Sequence, residues 1–222
     1  DSYHELYGDI LNLNTLGFTG LSDMNTDLQF YSDISGGVTS SGPLYVYSTG
    51  GNPGSRFSSI EIGERINIFR NGVKNVTVDN LAFKFTGAHA VGMGTSTNVV
   101  VRNCVFSWLG GSVLTLSSGG SAVNYGNAVE IYGGCDGYRV ENCWMYQIYD
   151  TAVTHQRSSE TGDCIQKGVR YLSNLMEYVH WGIEYYNAPP TAAQLGGNAD
   201  TYTRITSDVY DAYNVLRMGG YG

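Results

Sequence analysis

The sequence predicts an all-β solenoid, a parallel β-helix. Three observations predict it: a strand-only repeat from residue 75 onward, asparagine recurring in one column of that repeat, and a composition poor in charge. Charged residues make up 14% of the 222, against about 25% in ordinary domains, while there are 30 Gly, 17 Asn and 18 Tyr. Long solvated helices are therefore not expected. With 42% hydrophobic and 13% aromatic residues, the chain can offset its ordering entropy, which argues against disorder.

Taken in order, residues 1–27 read as a lead-in or cap, and residues 28–222 as coils. The early coils are irregular, with weak strands LQFY (28–31), LYVY (44–47), SIEI (59–62) and INIF (66–69). The repeat then becomes plain: NVTVDNLAFKFTGAHAVGMG (75–94), NVVVRNCVFSWLGG (98–111), GYRVENCWMYQIYDTAVTHQ (137–156), GVRYLSNLMEYVHWGIEYYN (168–187) and YTRITSDVYDAYNVLRMGG (202–220). Each unit has a β-branched alternating run, a polar pair and an apolar residue. The pairs are Asp79-Asn80, Arg102-Asn103, Glu141-Asn142, Ser173-Asn174 and Ser207-Asp208. Asparagine tolerates left-handed backbone, which suits a tight bend between strands. Leu81, Cys104, Cys143, Leu175 and Val209 follow and are expected to point inward. Units of roughly 20 to 25 residues built from strands alone bury their inner face only by stacking. The stretches near 112–126, 157–166 and 188–201 break the period and read as loop excursions. The chain stops at RMGGYG directly after a predicted strand, with no capping segment, as expected of a piece of a longer solenoid.

Several functions are excluded. With 12 basic and 20 acidic residues and a net charge of -8, the chain has no cationic stripe for nucleic acid. The longest charge-free run, residues 103–129, is broken by glycine, serine and asparagine and is no membrane span. Cys104, Cys135, Cys143 and Cys164 lack CxxC spacing, so zinc is not expected. Structural thiols and one or two disulfides both fit; Cys104 and Cys143 share a column about 4.8 Å apart, compatible with a bridge. Asp136-Gly137 and Asp163 are isolated, which leaves calcium unsupported, and no cofactor is expected.

The final strand of each repeat carries the candidate chemistry. In AVGM (90–93), AVEI (128–131), AVTH (152–155), GIEY (182–185) and VLRM (215–218), alternation sends Gly92, Glu130, Thr154, Glu184 and Arg217 outward. Glu130 and Glu184 stand two coils apart, about 9.6 Å by strand spacing. Side-chain leaning brings their carboxyls into the range of about 6.5 to 9.5 Å used by an inverting glycosidase. Outward Glu and Arg on adjacent strands are also ordinary solvated pairs. Asp150 and His155 in IYDTAVTHQ bracket the same strand as a second acid/base candidate, although parity turns His155 inward. His180 aligns with Asp150 at the bend. Trp108, Trp144, Trp181, Tyr132, Tyr149, Tyr185, Tyr186 and Tyr221 cluster near bends and strand ends, where flat rings offer platforms for sugar faces. Arg217, Trp181, Tyr132, Tyr186 and His180 are the expected substrate-binding set.

The strings VTVDNLAFKFTGAHAVG, YGNAVEIYGGCDGYRVENC and IYDTAVTHQ resemble the right-handed parallel β-helix repeat proteins of the pectate-lyase-like superfamily, in particular bacterial members linked to polysaccharide processing. The likeness covers about two thirds of the chain. It implies a secreted carbohydrate-active protein, extracellular or at the cell surface, with a polysaccharide or oligosaccharide partner. The superfamily also holds lyases and non-catalytic adhesins and tailspikes, so fold alone does not choose among these. The carboxylate row favours a glycoside hydrolase. A polysaccharide lyase would need a cation for a uronate, with Arg217, Lys167 and Arg170 as its candidates. A glycan-binding module without catalysis is the third reading.

Overall fold

The structure, a computed structural model, describes residues 20–33, 42–60, 64–70, 72–118, 122–157 and 161–220. Residues 1–19 of the expected lead-in, Glu61 and Ile62 of SIEI, and Tyr221 lie outside them. Among the described residues the chain is all-β, with a three-residue 3-10 turn (Leu21–Asp23), a single α-helix of four residues, α1 (Pro53–Arg56), and no helix long and apolar enough to cross a membrane.

The strands in chain order are β1 (Phe30–Ser32), β2 (Leu44–Val46), β3 (Phe69–Arg70), β4 (Lys74–Asp79), β5 (Ala82–Lys84), β6 (Val91–Met93), β7 (Ser96–Arg102) and β8 (Val105–Leu109). They continue with β9 (Ser112–Leu116), β10 (Ala122–Tyr125), β11 (Val129–Tyr132), β12 (Cys135–Glu141), β13 (Trp144–Arg157), β14 (Cys164–Leu172), β15 (Leu175–Asn187), β16 (Arg204–Ala212) and β17 (Val215–Arg217). The chain divides into two compact units. One holds residues up to 63 together with 111–125. Within it β1 pairs antiparallel with β2, β9 pairs antiparallel with β10, and Arg56 forks onto both carboxylate oxygens of Asp27 at 2.8 and 2.7 Å. The expected loop at 112–126 is thus largely a hairpin.

The second unit, residues 64–110 and 126–220, carries the repeat. Its strands pair only in parallel, in two sheets that the chain visits in turn: β4, β7, β12, β14 and β16 in one, and β3, β5, β6, β8, β11, β13, β15 and β17 in the other. Partners in register lie 23 residues apart for Val76 and Val99, 39 for Val101 and Val140, and 31 for Val140 and Tyr171. The architecture is compatible with the expected solenoid. Alternate residues of successive strands meet in one core: Val101, Val140 and Tyr171 from the first sheet, Phe106, Met145, Val129, Ile131 and Val153 from the second. Phe83 stacks on Phe106 with ring centroids 4.9 Å apart. All four cysteines are free and buried.

What makes the chain of the second unit bend is visible in its left-handed non-glycine residues, which together with Gly137 and Gly168 fall into three columns. Asn75, Asn98, Gly137, Gly168 and Asp208 form one; Asn80, Asn103, Asn142, Ser173 and Tyr213 the second; Phe85, Trp108, Gln147, Tyr178 and Met218 the third. Only Asn and Gly take such a φ cheaply. The second column is the expected asparagine column for its first three members. The fourth and fifth differ from expectation: Ser173 occupies the bend rather than Asn174, and Tyr213 rather than Asp208. Asn174 instead turns into the core, where its Oδ1 accepts the Cys143 amide at 3.0 Å and its Nδ2 donates to Val140 O at 3.0 Å. Leu81, expected inward, is 53% exposed. The chain leaves for residues 111–125 at Gly110 and returns at Gly126. A Cβ on Gly126 would sit 2.0 Å from the Gly110 Cα, and both have positive φ, so neither position admits a side chain.

The columns set a stability test. Asn142→Ala is expected to cost about 1 kcal/mol, because alanine lacks the short polar side chain that lets asparagine adopt φ 52° by bonding to nearby backbone, whereas Asn142→Gly is expected to be neutral within about 0.5 kcal/mol. Urea unfolding midpoints of the two variants check this; equal midpoints would show that the bend, not the residue, sets the φ.

Candidate functional site

The outward row of the second sheet assembles as Arg70, Gly92, Glu130, Thr154 and Glu184 in lateral register. Arg70 therefore starts the row. Asn67 lies three residues earlier, with its Nδ2 2.6 Å from where a Gly92 Cβ would be, so the absence of a side chain at Gly92 makes room for it. Arg217 does not join the row. It pairs in register with Glu177, at 2.9 Å between Nη1 and Oε1, because the last repeat's VLRM belongs to the start of its sheet rather than to its end.

Glu130 and Glu184 stand two strands apart with buried Thr154 between them, as expected from the repeat. Their surroundings differ. Glu130, although on the outward side, is only 7% exposed. Its Oε2 accepts from Asn127 Nδ2 at 2.7 Å, and its Oε1 lies 3.3 Å from His89 Nε2. Burial pushes its carboxyl up to about 7, with the Asp150 and Glu184 charges adding to the rise. Glu184 is half-buried on β15, whose paired partner β17 covers only Leu175–Glu177. A single oxygen, Oε2, accepts from Gln156 Nε2 at 2.7 Å and from the Thr151 and Thr154 hydroxyls at 3.3 Å each.

Asp150 completes the group. It sits at the bend inside β13, half-buried, with its Oδ1 3.4 Å from the Thr151 hydroxyl that also approaches Glu184. Burial and the Glu184 charge raise its carboxyl to about 6, while His180, its expected neighbour, pulls the other way. Three successive strands thus each contribute a carboxyl, and the charges of Asp150 and Glu184 both act on Glu130.

His155 goes elsewhere. It is 2% exposed, its Nδ1 is 2.8 Å from the Tyr171 hydroxyl, and burial pushes it down to about 4. Its contacts are those of the inward face that strand parity predicts. Of the expected aromatic platforms, Trp181 (56%), Tyr186 (49%) and Tyr132 (37%) are exposed. Tyr186 and Tyr132 flank Gln156 one position beyond the lateral partners Ile131, His155 and Tyr185, so both lie on the outward side with the carboxyls. Trp181 is the register partner of Thr151.

Two residues that strand parity did not point to, His89 and Asn127, sit in the column of Thr151 and Trp181 at the bend. Their signal in the sequence is positional: a polar residue at the same place before AVGM, AVEI and AVTH. Among the described residues no group of three or more His, Cys, Asp or Glu is arranged to hold a metal ion.

The site sets a pH test with opposing signs. Glu130 and Asp150 bind protons more tightly in the fold than in the unfolded chain, where their values are 4.5 and 3.8. The stability they contribute is present at low pH and is lost as pH rises through about 6 and about 7. His89 and His155, both lowered from 6.5 to about 4, stay neutral in the fold, so their contribution is lost as pH falls from 6.5 toward 4. The two pairs nearly cancel between pH 4.5 and 6. Glu130→Gln removes one of the two carboxyls and leaves Asp150 against both histidines, so its melting temperature is expected to fall on acidification over that window while the parent's stays nearly flat. Parallel curves for the two proteins would sink the assignment.

Comparison with protein-family models, with curated proteins and with solved structures gives no match to this chain.

Proposed function

We propose that the chain is a right-handed parallel β-helix of the pectate-lyase-like type, bacterial and extracellular, and that it hydrolyses a polysaccharide laid along the outward row of the second sheet. The observation that carries this reading is the gathering of Glu130, Asp150 and Glu184 on three neighbouring strands, with two of them raised toward neutrality beside exposed aromatic rings. A raised carboxyl is protonated at working pH and can donate to a leaving oxygen, while an ionised partner activates water. The separation of Glu130 and Glu184, two strand spacings or about 9.6 Å at the backbone, suits an inverting rather than a retaining pair. Trp181, Tyr132 and Tyr186 supply flat faces for sugar rings, and His180 borders the site at Asp150.

Hydrolysis is favoured over elimination because the three cations expected to serve a lyase are engaged, which leaves Arg70 of the row for the test below to weigh. Lys167 pairs with Asp136 at 3.0 Å, Arg170 with Asp208 at 2.6 Å and Arg217 with Glu177 at 2.9 Å. The test is a panel of neutral and acidic polysaccharides, followed by release of reducing ends and by the ultraviolet absorbance of unsaturated products. Reducing ends without unsaturation support hydrolysis, unsaturated ends reassign the site to a lyase, and binding without cleavage leaves a glycan-binding module.

A further inference from the structure

Glu130 is the most enclosed of the three carboxyls, and both of its oxygens already face donors. Asn127 Nδ2 donates to Oε2 at 2.7 Å, and His89 Nε2 lies 3.3 Å from Oε1. The proton on His89 has little freedom. Its Nδ1 accepts the Asn127 main-chain N–H at 2.9 Å, so the neutral ring carries its hydrogen on Nε2, aimed at Glu130. The Asn127 amide is oriented as well: its Oδ1 accepts the Thr151 N–H at 2.9 Å, which leaves Nδ2 for Glu130. One asparagine, 1% exposed, therefore ties the bend before β6, strand β11 and the Asp150-Thr151 step of β13 together. The Thr151 hydroxyl in turn lies between Asp150 and Glu184.

We propose that Asn127 and His89 are positioning residues that fix Glu130 through both of its oxygens and, through Thr151, set the placement of Asp150 and Glu184 beside it. The proposal rests on the hydrolase reading and deepens it, by naming what orients its carboxyls. Both neighbours present hydrogens to Glu130 and so favour its ionised form, against the burial that raises its carboxyl, and loss of either donor shifts the balance toward the protonated form. The titratable groups that interact with Glu130 are His89 from the bend before β6, by contact, and Asp150 of β13, Glu184 of β15 and Tyr138 of β12, through charge, with Arg70 of β3 in the same row.

The test is a carbon-13 NMR titration of the full chain labelled at glutamate side-chain carboxyls, with the Glu130 resonance assigned by its loss in Glu130→Gln. His89→Phe and Asn127→Leu keep volume and remove donors, and each is expected to raise the Glu130 midpoint by roughly one pH unit. His89→Gln retains an amide N–H toward Oε1 and is expected to keep the parent midpoint. On a polysaccharide that the parent cleaves, the two donor-removing variants are expected to lower kcat by at least about tenfold with KM changed less than about threefold. A Glu130 midpoint unmoved by both, or a moved midpoint with kcat intact, overturns the positioning role. A parent with no turnover on any polysaccharide overturns the hydrolase reading and the roles given to Asp150 and Glu184, and the titration alone then decides whether His89 and Asn127 hold Glu130.

Discussion

Glu184→Gln is expected to lower kcat on the cleaved polysaccharide by about 10²–10⁴-fold, the usual contribution of a positioned acid or base. The substitution is a clean one here. All three contacts to Glu184 are donated to Oε2, and a glutamine oxygen in that place still accepts from Gln156, Thr151 and Thr154. What is lost is the charge and the ability to take a proton from water. The melting temperature is therefore expected to stay within about 2 °C of the parent, which corresponds to less than about 1 kcal/mol. The measurement is initial rates of reducing-end release at several substrate concentrations, beside a thermal melt. Turnover within about threefold of the parent would remove Glu184 from the chemistry. A large loss with an unchanged melt separates a chemical role from a structural one, since a merely structural carboxylate would move both.

Phe106→Ala is expected to have the largest effect on stability. The ring is fully buried, stacked on Phe83, and contributed by β8, which lies between β5 and β13. A truncation of this kind costs about 3–5 kcal/mol, from lost transfer energy and from the cavity left in a stack that is held on both sides. At about 2–4 °C per kcal/mol for a chain of this size, the melting temperature of the repeat-bearing unit is expected to fall by roughly 6–20 °C. Calorimetry of parent and variant checks it, and a drop under about 3 °C would mean that the repeats close over the space.

Both expectations bear on how far the sequence speaks for itself. The parallel strands and the register from Val76 to Tyr171 follow from alternation plus the recurring Asn80, Asn103 and Asn142, and the row holding Glu130, Thr154 and Glu184 follows with them. The reading slips where the bend is made by a residue with no taste for it. Ser173 and Tyr213 carry a left-handed φ that nothing in their side chains announces, so an alignment led by asparagine moves to Asn174 and Asp208. The misplacement of Arg217 has the same root: VLRM and AVTH share a period of two, and alternation cannot tell the first half of a long strand from the second. The enclosure of Glu130 was not legible for another reason. It depends on His89 and Asn127, which lie on bends, where side-chain direction follows the local φ and ψ rather than parity.

The three left-handed columns also govern which mistakes the chain can make while assembling. A strand that pairs one residue out of step would bring β-branched residues such as Thr97 or Val99 to positions that demand positive φ, and it would be opposed at each bend. A shift by one whole repeat meets no such objection, because the columns coincide again and apolar residues once more face inward. The punctuation that protects residue-level register is therefore blind to the skipping of an entire rung. Strand exchange between neighbouring molecules in units of one complete repeat is the form of misassembly to which this architecture is open.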